Sequence, residues 1–144
     1  LSTNAADYES FIKINKPKYD DSWERWNRTL DMLKDLDTRT VLRITLIRDY
    51  NDQKEMIPAF ADMFRKASPH FIEIKSYMHI GRSTNRLEHE NMLEMHEVKK
   101  FSEEIAKQSK IFSIMDESLV SRISILQNNE RFIDRYIPTY ANTN

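Results

Sequence analysis

Thr40-Val41-Leu42-Arg43-Ile44-Thr45-Leu46-Ile47 and Phe71-Ile72-Glu73-Ile74-Lys75-Ser76-Tyr77 are the two stretches on which the fold turns. Both are β-branched, apolar at every second position and bounded by polar or Pro-containing segments, so both read as strands. Alternate side chains of a strand share a face. Leu42, Ile44 and Leu46 therefore lie on one side, and Arg43 and Thr45 with Val41 on the other. In the second stretch Ile72 and Ile74 face one way, while Glu73 and Lys75 face the other with Phe71 and Tyr77. Strands of a parallel sheet are normally covered on both faces and read as near-continuous apolar runs. Charge on one side fits two accounts. One is an antiparallel sheet with a wet face. The other is an α/β barrel, open or closed, whose helices cover the apolar face and whose polar face, with Arg43, Thr45, Glu73 and Lys75, lines a substrate cavity. Glu73 and Lys75, two residues apart, would project side by side, close enough to pair or to hold a polar ligand.

Working outward, helical patterns separate the strands. Met56, Ile57, Phe60, Met63 and Phe64 form one apolar stripe, with Pro58 deep enough to suggest a late start and Pro69 as the stop. Upstream, Asp21 and Glu24 have capping-box spacing, and Trp23, Trp26, Leu30, Leu33 and Leu36 recur on one helical face. Lys13 to Asp20 reads as loop, and the first four or five residues could finish a strand. Downstream, a polar loop from Gly81 to Asn91 leads to a helix with Met95, Val98, Phe101 and Ile105 inward. Short strands near Lys110–Met115 and Arg122–Leu126 follow. Residues 1–136 read as one domain and 137–144 as a loose tail. The alternation predicts βα units around a mostly parallel sheet, with the two long strands paired in parallel and Glu73 and Lys75 facing away from the helices.

Composition excludes several classes. The chain has no Cys, hence no disulfide, thiolate metal site or cysteine nucleophile. Gly81 is the only glycine, which removes glycine-rich phosphate loops. A net charge of −1 argues against a broad basic surface, so any nucleic-acid contact must be local. No apolar run reaches membrane-spanning length and the N-terminal residues lack signal-peptide features, which makes a cytoplasmic address the expectation.

The remaining candidates are mostly structural. His89 and His96 lack the tight spacing of a metal set, so no metal site is expected. Trp23 and Trp26 read as helix packing, and Met63, Met78, Met92 and Met95 as core or gap filling. Lys13, Lys16 and Lys18 read as solvated loop charges before an RNA contact. Arg82 and Arg86 flank Gly81 in the loop after a cavity-lining strand, where barrels place ligands. No Ser or Thr has a partnered His that would make a triad.

Several blocks resemble, in order, the family of wyosine synthases that convert 1-methylguanosine in phenylalanine tRNA to 4-demethylwyosine. They are Lys13-Ile14-Asn15-Lys16-Pro17, Trp23-Glu24-Arg25, Arg39 to Ile47 and Phe71 to Met78. Gly81 with Asn85-Arg86-Leu87, Asn91-Met92, His96-Glu97-Val98, and Asp116-Glu117-Ser118 with Ser121-Arg122 continue the match. The resemblance implies the C-terminal βα units of a partial (β/α)6 radical-SAM barrel. It implies a lyase using S-adenosylmethionine and a 4Fe–4S cluster, with tRNA-Phe and pyruvate as substrates. Ser2, Asn4, Arg43, Thr45, Glu73 and Lys75 would then face cofactor, and Tyr77, Gly81, Arg82 and Arg86 substrate or RNA.

The chain departs from that family in specific places. The CxxxCxxC cluster loop and the cysteines of a second cluster are absent, and the lysine that engages pyruvate belongs to the missing N-terminal half, so that role is not carried to Lys75. Asp49 stands where the family usually has Gly, and Leu93 where it usually has Pro. The chain therefore reads as a fragment, not expected to be active or to hold a cluster alone. It would pair with the missing half, or self-associate, through an open sheet edge. The alternative is a non-catalytic half-barrel that binds nucleotide or RNA, or docks on a cysteine-bearing partner.

Overall fold

Alternation in the two long strands becomes a two-layer packing in the computed structural model, which describes residues 1–137. The expected loose tail lies, from 138 onward, outside the described residues. Five strands form one sheet: β1 (Ser2–Thr3), β2 (Val41–Leu46), β3 (Phe71–Ser76), β4 (Phe112–Ser118) and β5 (Ile123–Asn128), in the order β1-β2-β3-β5-β4. The helices are α1 (Tyr8–Asn15), α2 (Ser22–Leu33), α3 (Ile57–Ala67) and α4 (Met95–Ser109). Leu42, Ile44, Leu46, Ile72 and Ile74 are wholly buried and share one core with Leu30 of α2, Phe60 and Phe64 of α3, and Val98 and Ile105 of α4. Burying each such side chain contributes about 1.5–3 kcal/mol, which fixes the register, because a slip by one residue would bury Arg43 and Glu73 instead.

β2 and β3 are parallel, as expected, and the register sets Arg43 opposite Glu73 and Thr45 opposite Lys75. β1 is also parallel to β2. The last two strands differ from the expectation of a mostly parallel sheet: β5 runs antiparallel to both β3 and β4. The reason is the length of the link. Residues 119–122 are too few for the crossover that parallel strands need, so β4 and β5 close as a hairpin.

Local differences have equally local causes. Lys13 and Asn15 belong to α1, capped by Asp7, whose carboxylate accepts from the Ser10 amide at 2.9 Å. Asp21 precedes α2 without capping it, because its carboxylate is taken by Arg25 at 2.8 Å. Leu36 lies beyond the end of α2 and is exposed. Pro58 does not delay α3, since it sits in the first turn, where its missing N–H leaves no intrahelical bond unmade.

His70 precedes β3 and is buried. Its Nδ1 accepts from the Thr40 amide at 3.2 Å and lies 2.9 Å from the Thr40 hydroxyl, locking the starts of β2 and β3 together. Burial, reinforced by Arg131 and Arg39, holds the imidazole below its ordinary 6.5. The neutral form therefore stabilises the fold fully above that value, and the contribution is lost as pH falls through the depressed one. Urea unfolding at pH 7.5 and 5.5 should show a loss of stability on acidification that is smaller in His70→Gln; equal losses would remove His70 from the account.

Candidate functional site

The register gathers most of the predicted residues on the face turned away from the core. Ser2, Arg43, Glu73, Ile125 and Asp116 follow one another across the five strands as a single row. One step toward the C-terminal ends of the parallel strands lies the row Thr45, Lys75, Ile123 and Ser118. Asn4 continues it beyond β1, accepting the Thr45 amide on Oδ1 at 3.3 Å. A bulge at Met115 keeps Asp116 in phase with Ile125.

Glu73 does not pair with Lys75. Arg43 grips it from the neighbouring strand with two bonds, Nε to Oε1 at 2.8 Å and Nη2 to Oε2 at 3.1 Å. Cross-strand neighbours in register have closer Cβ atoms than residues two apart on one strand, and a guanidinium fits a carboxylate in this bidentate way. Lys75 is left with no ion pair among the described residues and is half-buried on the same face. Asp116 is held below its usual range by the Glu117 amide and then by Arg135 at 2.8 Å. The segment after β5 crosses the other end of this face: Gln127 bonds the Ile133 carbonyl, and Arg39 bonds the carbonyls of Asp134 and Tyr136. At the end that bears them, Thr45 and Lys75 are each partly exposed.

Tyr77 is buried, and its hydroxyl lies 3.1 Å from Nδ1 of His79, so it is a wall of the site more than a free contact. Gly81 has φ +62° and opens the 3-10 turn Gly81–Asn85, which carries Arg82 and leads to exposed Arg86. Arg86 is apart from the sheet face. It lines a cavity of about 160 Å³ with Asn4, Lys13, Lys16 and Tyr50. A second cavity, about 320 Å³, lies between the starts of α3 and α4 and is lined by Asp52, Lys54, His96, Glu97, Lys100 and Glu104. Burial pushes the Asp52 carboxyl up. No group of three metal-ligating side chains occurs among the described residues.

Sequence reasoning missed the residues that hold this edge. Arg48 donates to the Glu90 carbonyl at 3.0 Å, the Met92 carbonyl at 3.0 Å and both Glu97 oxygens at 2.6 Å. Wholly buried Asn51 accepts the Ile47 amide at 2.7 Å and donates to the carbonyls of Asn4 and Thr45 at 2.9 and 3.0 Å. The only signal was the polar run Arg48 to Asp52, which reads equally as solvated loop.

A family model described as wyosine base formation matches residues 66–128, which contain β3, the turn at Gly81, α4 and the closing hairpin. The S-adenosyl-L-methionine-dependent tRNA 4-demethylwyosine synthase of Methanocaldococcus jannaschii is 40% identical over 136 residues, 93% of this chain and 41% of that protein. The synthase of Pyrococcus abyssi is 35% identical, over 90% of this chain and 37% of its own length. A solved structure of TYW1 with a lysine–pyruvate adduct bound superposes with a TM-score of 0.82 at 39% identity, covering 92% of this chain and 41% of that one. A crystal structure of archaeal TYW1 gives 0.73 at 34% identity, covering 92% and 40%. The chain belongs to the 4-demethylwyosine synthase family. It corresponds to the C-terminal part of these synthases and spans about two-fifths of the length of the curated archaeal relatives named above.

Two departures from the synthase pattern now have physical readings. Asp49 has φ +68°, a conformation that favours Gly and that Asp tolerates better than most. Leu93 donates its amide to the Ser76 hydroxyl at 2.8 Å, a bond that Pro could not make. Asp49→Val should therefore lower stability by about 1–2 kcal/mol, while Asp49→Gly should not; equal losses in chemical denaturation would mean that the side chain matters and not the backbone.

Arg48→Met should cost more, about 2–3 kcal/mol, by stranding a charged partner and two carbonyls. Its bonds to Glu97 hold that carboxyl below its ordinary 4.5, so the contribution is present above that value and lost as pH falls through the lowered one. Denaturation midpoints of Arg48→Met and wild type should thus converge in acid; a constant gap down to pH 3 would exclude the ion pair as the source.

Proposed function

We propose that this chain is the part of a radical-SAM tRNA 4-demethylwyosine synthase that walls the reaction chamber. In this reading the enzyme is a cytoplasmic lyase forming 4-demethylwyosine from 1-methylguanosine in tRNA-Phe, with pyruvate as the second substrate. The observation that carries it is the end of the polar face where Asn4, Thr45 and Lys75 stand together, partly exposed, and Lys75 has no ion pair among the described residues. Helices cover the opposite face, so these strands fit as the last units of a partial (β/α)6 barrel. Its residues 1–136 would act as one domain.

The residues fit S-adenosylmethionine better than they fit a cluster. Lys75 supplies a cation for a carboxylate, and Ser2, Asn4 and Thr45 supply neutral polar groups for the rest of a zwitterion. Bound there, S-adenosylmethionine would supply the reactive deoxyadenosyl group. What this chain does is orient it: Arg43 occupies Glu73 and so keeps that carboxylate from capturing Lys75. A 4Fe–4S cluster does not fit, because the chain has no cysteine to ligate iron. In this reading the cluster and the pyruvate-bearing lysine come from residues outside these 144, which add at the outer edge of the two-residue strand β1.

The test is Lys75→Met in a full-length synthase carrying this segment. Loss of a charge-assisted bond of about 1.5–3 kcal/mol lowers cofactor or substrate binding ten- to a hundredfold. Thermal stability should hold, since Glu73 keeps its Arg43 partner. Arg43→Met should instead lower the melting temperature by freeing Glu73, whose side chain is 15% exposed. Normal product formation by Lys75→Met would remove the face from the catalytic site.

A further inference from the structure

We propose that the cleft lined by Lys13, Lys16 and Arg86 binds a phosphodiester of the RNA backbone beside the end of the sheet that bears Thr45 and Lys75. The proposal deepens the reading above, on which it rests, by naming where the substrate's backbone is held. Three elements build the cleft: the last turn of α1 with its left-handed Lys16 (φ 46°), the turn after β2 with Tyr50, and the segment after Gly81–Asn85 with Arg86 and Leu87. The cleft contains three cations and no carboxylate, on a chain whose net charge is −1. The larger cavity sets the contrast, since its Lys54 and Lys100 share their space with Asp52, Glu97 and Glu104.

Lys13, Lys16 and Arg86 form no ion pair or side-chain hydrogen bond among the described residues. Lys13 instead lies over the ring of Tyr50, 5.5 Å from its centroid. Cations that line one cleft without a counter-ion repel one another, so an anion bound in it would be stabilised. The cleft's volume of about 160 Å³ is well above the roughly 10–15 Å³ that a cavity needs to hold one water. A phosphate fits with room for part of its sugar, against the aliphatic surface of Ile14, Ile47 and Leu87. Asn4 belongs to both the cleft and the polar face. A backbone held here therefore brings an adjacent nucleotide to the face bearing Lys75.

Fluorescence anisotropy with a labelled RNA hairpin, on the chain as it stands, tests the proposal across a salt series. The triple variant Lys13→Gln, Lys16→Gln, Arg86→Gln should bind at least about tenfold more weakly at low salt. Its salt dependence should also be flatter, by about one unit of log–log slope for each phosphate that it no longer neutralises. The control Lys54→Gln, Lys100→Gln should bind as wild type. If the triple variant melts early, Arg86→Gln alone should still weaken binding severalfold. Unchanged affinity in the cleft variants overturns the proposal, as does a wild-type chain that does not bind the hairpin. Adenosine monophosphate that binds more tightly than the hairpin overturns the phosphodiester assignment in favour of a free phosphate. The functional reading fails separately, through product formation indifferent to Lys75.

Discussion

Everything at the functional edge of this fold hangs on the guanidinium of Arg48. It leaves the end of β2, yet all its side-chain partners belong to the segment that leads into α4 or to the first turn of α4 itself. Its own amide bonds the Asn91 carbonyl at 2.9 Å, and Asn91 returns a bond to the Arg48 carbonyl at 3.1 Å. Two loops that follow neighbouring parallel strands are thereby fastened in a fixed relation. Asn51 does the same toward β1, using both donors and its acceptor. Loops at strand C-terminal ends usually carry function because they are free to vary. Here polar side chains fasten them to one another and to the sheet.

That fixing matters because the face it borders is charged. A carboxylate on a sheet face costs desolvation unless it is matched, and the parallel register matches Glu73 with Arg43 directly. The pairing leaves Lys75, one row on, as a cation without an ion pair among the described residues. One strand shift would destroy both effects at once. The core and the site are therefore set by the same alternation, with Ile44 and Ile74 anchoring the register that places Arg43, Glu73 and Lys75.

This explains what was legible in the chain. The period-two alternation of β2 and β3 encodes the strands and their inner and outer faces, because burial of one face is a strong and local signal, while the helix between them points to the parallel pairing. The stripe of Phe60, Met63 and Phe64 encodes α3 for the same reason. The hairpin of β4 and β5 was less legible, since its direction depends on the few residues of its link and not on any pattern within the strands. Partnerships were least legible. That Glu73 would choose Arg43 over Lys75 depends on register between strands 30 residues apart. That Arg48 would be a staple, and Asp49 left-handed, depends on where loops close, to which a run of polar residues gives no clue. The basic cleft was hidden because α1 and Arg86 meet only in three dimensions.

The division of labour between this chain and the rest of a synthase follows from the same chemistry. A 4Fe–4S cluster is held by cysteine thiolates, and this sequence has none to supply. In the proposed reading it contributes a polar wall on which Lys75 is unpaired among the described residues, and beside it a cleft lined by cations without ion pairs there. In that reading a reaction through a reactive species would gain from such a wall, because substrate and cofactor must be held at fixed separation, and fixed geometry is what a register-locked sheet supplies. The residues that matter most in this chain are therefore those that position: Arg43 by occupying Glu73, Asn51 by fixing Asn4, and Arg48 by fastening the loops around both.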